Sequence, residues 1–131
     1  MKKKTIMVFG ASGFIGTYLI DELLRNNYHV IASDISDIGE KYYRERKIPF
    51  VSVDITKAEE FEKLQKIKYD VVINLAALQP ANFSSDNYGV KDYININVVG
   101  TVNILEFCKR NKVGKMIYAS SHRNTSGLWH K

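Results

Sequence analysis

The chain has 131 residues, 45% of them hydrophobic and 25% charged, with a formal net charge of +5. This length and balance describe one globular domain of ordinary composition and exclude a disordered, collagen-like or low-complexity chain. No apolar run approaches the roughly 18–20 residues of a membrane span, and a single cysteine, Cys108, excludes an internal disulfide and a cysteine-based zinc site.

The elements alternate between strand and helix. Thr5 to Phe9 is a short apolar run ending in glycine, which predicts a buried strand. It is too short for a signal-peptide core behind Lys2 to Lys4. Gly13 to Asn26 is predicted helical, with Ile15, Leu19 and Leu23 every four residues and Leu24 widening the stripe. His29 to Ser33 is a second strand, the polar stretch Ile38 to Lys47 a short helix, and Phe50 to Val53 a third strand. Thr56 and Glu59 have capping-box spacing, opening a helix that points Phe61 and Leu64 inward.

Asp70 to Leu75 is the fourth strand, and Ser84 to Asp92 is a loop or the start of a helix. Tyr93 to Asn111 is helical, with Val98, Val102, Leu105 and Cys108 expected on one buried face. Lys115 to Ala119 is the fifth strand, and Ser120 to Lys131 has no apolar period. The order βαβαβαβαβ predicts a single α/β domain over residues 1–131. Its parallel sheet is doubly wound and ends after the fifth strand.

The densest chemical signal is Gly10-Ala11-Ser12-Gly13-Phe14-Ile15-Gly16, where strand one meets helix one. One glycine permits the tight turn, a second lets backbone amides approach a pyrophosphate, and a third lets helix pack on strand. The helix N-terminus then offers free N–H groups and a positive dipole to the anion. Asp34, ending strand two, is placed to accept ribose hydroxyls and to repel a 2′-phosphate; its bland alternative is a turn or N-cap aspartate.

At these residues the chain resembles the short-chain dehydrogenases/reductases. Further segments resemble the extended branch, the NAD-dependent epimerase/dehydratase family. They are Asp54-Ile55 after strand three, Asn74-Leu75-Ala76-Ala77, Asn97-Val98-Val99-Gly100-Thr101 and Tyr118-Ala119-Ser120-Ser121. The resemblance implies a Rossmann-type fold binding NAD, with NADP disfavoured, and a small sugar or nucleotide-sugar substrate handled through transient hydride transfer. It implies cofactor contacts at Gly10, Ser12, Gly13, Phe14, Ile15, Gly16, Asp34, Ile35, Asp54, Ile55, Leu75, Ala76, Ala77, Asn97 and Ser120. Ser121 takes the position of the family's catalytic hydroxyl, in support of a Tyr-x-x-x-Lys pair whose lysine lowers the tyrosine pKa. Ala76 and Ala77 are also small enough to serve helix packing alone, and Asn97 reads as structural or as acting through a neighbour.

The one Tyr-x-x-x-Lys match, Tyr43 to Lys47, precedes strand three and reads as an exposed helical pair. The family's own pair belongs about two dozen residues after the serine, a spacing taken from the resemblance. The chain therefore looks like the cofactor half of such an enzyme, inactive alone. The stretch His122-Arg123-Asn124 departs from the family's usual continuation. The alternative is a catalytically incomplete nucleotide-sensing or scaffolding module, with a homodimer through an open sheet edge. The three histidines lack metal-ligand spacing. Cys108 reads as core, and Tyr88, Tyr93 and Tyr118 as packing residues. Lys2, Lys3, Lys4, Arg123 and Lys131 sit at the edges of the chain and the other basic residues are scattered among acids, so a nucleic-acid partner is not expected, and a reducing cytoplasm is the expected compartment.

Overall fold

The computed structural model describes residues 2–79 and 88–120. In chain order these form β1 (Thr5–Phe9), α1 (Phe14–Arg25), β2 (His29–Ser33) and α2 (Asp37–Glu45), then a 3-10 helix (Ala58–Lys63) and β3 (Val71–Asn74). A continuous helical rod follows as α3 (Val90–Tyr93), a π-helical turn (Ile94–Val99) and α4 (Gly100–Arg110), and β4 (Lys115–Tyr118) ends it. The sheet is parallel, in the order β2-β1-β3-β4.

The doubly wound arrangement follows from the strand sequences. In β1 the side chains alternate between two cores, both apolar, because helices cover both faces. Met7 and Phe9 join Val72, Phe61, Ile104 and Phe107 on the face under α4 and the 3-10 helix. Ile6 and Val8 join Ile20, Val30, Tyr43 and Ile73 on the face under α1 and α2. Phe61 lies 5.6 Å from both Phe9 and Phe107, centroid to centroid, so one ring ties sheet to helix.

Several local expectations are corrected. Phe50 to Val53 is not a regular strand: a single parallel bridge joins Phe50 to Ala32, with Val51 N–H donating to Ala32 O at 3.0 Å. It still occupies the sheet edge beside β2. The Thr56–Glu59 capping box does not form. Thr56 donates its amide and hydroxyl to Asp54 Oδ1 instead, at 3.0 and 2.7 Å, and Glu60 accepts the Asp54 amide at 2.7 Å. A tight turn at Asp54 competes for the same groups and wins. Phe61 and Leu64 do point inward.

The rod after β3 differs most. Its buried residues are Gly100, Ile104, Phe107 and Cys108, whereas Val98, Val102 and Leu105 are about half exposed. The rod is apolar on two adjacent stripes, so periodicity alone favours neither. Tyr43 is not exposed either: it is fully buried, stacked on Phe50, with its hydroxyl donating to Ala11 O. Lys47 is exposed and takes a left-handed conformation (φ 56°) just past α2, as Asn27 (φ 64°) and Lys112 (φ 50°) do past α1 and α4.

Candidate functional site

The strands of a parallel sheet end together, and the loops leaving β1, β2 and β3 here border one cleft. Its first compartment, about 310 Å³, lies between the ends of β1 and β2 and the segments around Asp54 and Ala76. A second, about 400 Å³, runs from Gly13 along the start of α1 to Ala119 and Ser120. Gly10, Gly13, Leu75 and Ala77 belong to both, so the two adjoin over the glycine loop.

Two glycines are required by geometry. Gly10 has φ 75°, and a Cβ there would lie 2.5 Å from Ala76 N. At Gly16 a Cβ would lie 2.5 Å from Ala11 O, so the first turn of α1 folds directly against the loop. The loop is then fastened from outside. Ala11 donates its amide to Ser33 O at 3.0 Å, and its carbonyl accepts from Tyr43. Burial pushes the Tyr43 hydroxyl up to about 12, so it remains a proton donor at every physiological pH.

The loop's electrostatics suit an anion. The first bond inside α1 runs from Thr17 N–H to Gly13 O, 3.1 Å, which leaves the amides of Phe14, Ile15 and Gly16 without helical acceptors. The first turn has no acidic residue and Gly13 supplies no side-chain cap. A diphosphate fits this position on charge and on donor count.

Asp34 stands at the opposite side of the loop. Its Oδ2 accepts Ser12 N–H at 2.9 Å and its Oδ1 accepts Ile35 N–H at 2.8 Å. A carboxylate has lone pairs beyond these two bonds, and Asp34 lines the first compartment beside exposed Ile35. Ser33 Oγ, fully buried in the same wall, has no hydrogen-bond partner among the described residues. These features fit a ribose and adenine next to a diphosphate.

Other expected residues divide by what they touch. Ile55, Leu75, Ala76 and Ala77 line the cleft, and Phe14, Ile15, Gly16 and Ser120 line its second compartment. Ser12 contributes its amide to Asp34, while its hydroxyl is buried against Gly39 of α2 and borders neither compartment. Asp54 lines the cleft but is also occupied in its own turn. Burial acts to raise its pKa, and the Thr56 hydrogen bonds with Lys57 at 3.6 Å outweigh that and hold it below the usual range. Asn97 clamps the Leu78 peptide: its Oδ1 accepts Leu78 N–H at 2.7 Å and its Nδ2 donates to Leu78 O at 3.0 Å. It positions the loop that carries Ala76 and Ala77. Ser121 lies outside the described residues.

Sequence reasoning missed Val53, Thr56, Leu78, Tyr88 and Ile96, which also line the cleft. It also missed Asn103, whose Nδ2 donates to Ile55 O at 2.8 Å. Asn97, Thr101 and Asn103 fall within two turns of one rod; that polar run within an apolar helix was the available signal.

A model of the NAD dependent epimerase/dehydratase family matches residues 6–126. The putative UDP-glucose 4-epimerase of Methanocaldococcus jannaschii is 40% identical over 116 residues, covering 88% of this chain and 37% of the relative. Among solved structures, a UDP-galactose 4-epimerase matches with a TM-score of 0.76 at 30% identity, over 90% of this chain and 38% of that one. The Thermus thermophilus UDP-glucose 4-epimerase in complex with NAD gives 0.72 at 26% identity, over 89% and 37%. This chain thus spans well under half the length of these relatives. The ordered motifs, the cleft they build and the match over nearly all of the sequence agree: the chain belongs to the NAD dependent epimerase/dehydratase family.

Proposed function

We propose that this chain is the NAD-binding portion of a cytoplasmic enzyme that epimerises, dehydrates or oxidises a nucleotide sugar. The observation that carries the reading is the fastened glycine loop with Asp34 bonded to it, both lining one cleft. In that reading the Phe14, Ile15 and Gly16 amides hold the diphosphate. Asp34 holds the adenosine ribose, and Ile35, Asp54 and Ile55 flank the adenine. The nicotinamide, when bound, supplies a hydride acceptor for a sugar carbon. The second compartment, with Ser120 on its wall, is where that ring would lie, and Ser121 would polarise the substrate oxygen. Epimerase relatives support a nucleotide-sugar substrate. Asp34 at the ribose end supports NAD over NADP, because a 2′-phosphate would meet like charge.

Calorimetric titration with NAD, NADP and ADP-ribose tests this. The expected result is binding of NAD and ADP-ribose well ahead of NADP. A preference for NADP refutes the role of Asp34, and no binding of any of the three refutes the reading.

A second reading, a nucleotide-sensing or scaffolding module acting as a homodimer, is favoured by two observations. Val98, Val102 and Leu105 form a half-exposed apolar stripe on the rod, and Ile117 and Tyr118 are exposed on edge strand β4. Sedimentation equilibrium separates the two: a dimer dissociated by Val102→Glu supports it, and a monomer at all concentrations removes it.

A further inference from the structure

The lysines at the edge of the chain and those scattered along it meet in space. Parallel strands all start at one end, and β1, β3 and β4 start side by side, with Ile6 opposite Val71 and Val71 opposite Lys115. Lys2, Lys3 and Lys4 lead into β1, Lys66 and Lys68 into β3, and Lys112 and Lys115 into β4, all exposed. Lys109 and Arg110 end α4 at the same end.

Little opposes this charge. Asp70 is the carboxylate among these strand starts, and it is occupied. Its Oδ2 accepts Thr5 N–H at 2.8 Å, and its Oδ1 pairs with Lys68 at 3.4 Å. The Thr5 hydrogen bond, ahead of Lys68 and Lys4, holds its carboxyl below the usual range. Arg110 meets Glu62 at 3.9 Å. Among the described residues, no ion pair engages Lys2, Lys3, Lys4, Lys66, Lys112 or Lys115. Lys112 also holds a left-handed conformation where glycine would be at ease.

We propose that this end of the sheet is a docking surface for an anionic lipid bilayer. Three observations favour a bilayer over a nucleic acid. The array is lysine, a mobile point charge, rather than arginine, whose fork reads phosphates bidentately. Ile67 is exposed between Lys66 and Lys68, an apolar side chain at the centre of the charge. The neighbouring rings, Tyr69 and Tyr28, are packed into the cores rather than offered for base stacking. Docking in this way leaves the nucleotide cleft facing away from the bilayer, because it lies at the opposite ends of the strands. The inference does not depend on what that cleft binds.

The test is co-sedimentation of this chain with vesicles of phosphatidylcholine, alone or mixed with phosphatidylglycerol, across a salt series. The expected result is binding to the mixed vesicles only, weakening steadily with salt. The triple variant Lys66→Glu, Lys68→Glu, Lys115→Glu should lower the partition coefficient by at least about tenfold, since each surface lysine contributes about fivefold. Its urea unfolding midpoint checks folding, and Lys66→Gln with Lys68→Gln is the milder substitute if it fails. Ile67→Ala should weaken vesicle binding about threefold while leaving weak binding to duplex DNA unchanged. Equal binding to neutral vesicles, no binding at low salt, insensitivity to charge reversal, or tighter binding to duplex DNA than to the mixed vesicles would each overturn the proposal.

Discussion

The two ends of the sheet are built from the same strands and follow opposite rules. Where the strands finish, the chain is small and acidic: Gly10, Gly13, Ala76 and Ala77 with Asp34 and Asp54. Where they start, it is long and basic, with Lys4, Lys68 and Lys115 around an engaged Asp70. The net charge of +5 therefore describes neither end. A mild basic excess suggests attraction of anionic ligands to the molecule as a whole, yet the cleft offers anions backbone amides, amid acidic side chains. Field at a site is set by local donors, not by the sum over the surface.

The largest test of this contrast is at the finishing end. Gly10→Ala places a Cβ on the Ala76 backbone at a positive φ, so urea unfolding should show a loss of about 2–4 kcal/mol, and dinucleotide binding should vanish. Asp34→Asn keeps the shape and removes the charge. ADP-ribose affinity should fall about tenfold while the unfolding midpoint moves little, and an unchanged affinity would remove Asp34 from the site. Tyr43→Phe deletes the bond to Ala11 O and should cost about 1 kcal/mol, with a parallel rise in amide exchange across the glycine loop. Alkaline titration reads the burial of the same hydroxyl. Because the folded pKa of Tyr43 is about 12 against 10.0 ordinarily, its contribution is complete below pH 10 and is lost as pH rises toward 12.

The starting end should respond with smaller effects, one of opposite sign. Lys112→Gly relieves a left-handed non-glycine residue and should raise stability by about 1 kcal/mol, read as a higher urea midpoint. Asp70 has its pKa lowered from 3.8, chiefly by the Thr5 amide. Its contribution is therefore present above about pH 4 and lost as pH falls below it. Asp70→Asn should lower the midpoint at neutral pH and flatten its fall in that acid range, so that the two curves converge in acid.

Much of this was legible in advance for physical reasons. The apolar runs of β1, β2 and β3 are buried on both faces for nearly their whole length, and such runs have no competing reading once helices separate them. The run of β4 was legible as a strand, but its exposure at the sheet edge was not. Gly10 and Gly16 were legible because their neighbours leave no room for a Cβ. The illegible parts are those where two local solutions compete. At Thr56 the hydroxyl had a cap and a turn to choose between, and Asp54 two residues earlier decided it. On the rod from Val90 to Arg110 two apolar stripes competed, and only packing against Phe61 and Tyr69 selected Ile104 and Phe107. Tyr43 was misplaced because Arg44, Arg46 and Lys47 around it are polar, and a single inward tyrosine leaves no periodic trace. The charge asymmetry was invisible because it arises from topology: residues 2, 66 and 112 meet only when the strands are parallel.

Strand β4 has a further consequence for handling the protein. Among the described residues its outer edge has no neighbouring strand, and Ile117 and Tyr118 are exposed there, a template on which a second edge can pair. At low ionic strength, mutual repulsion between like-charged molecules keeps such edges apart. Adding salt to about 1 M shrinks that repulsion to a range of roughly 3 Å, so colloidal stability in this protein should run opposite to the usual practice of protecting samples with high salt: dilute buffer preserves it, and brine promotes strand-to-strand growth.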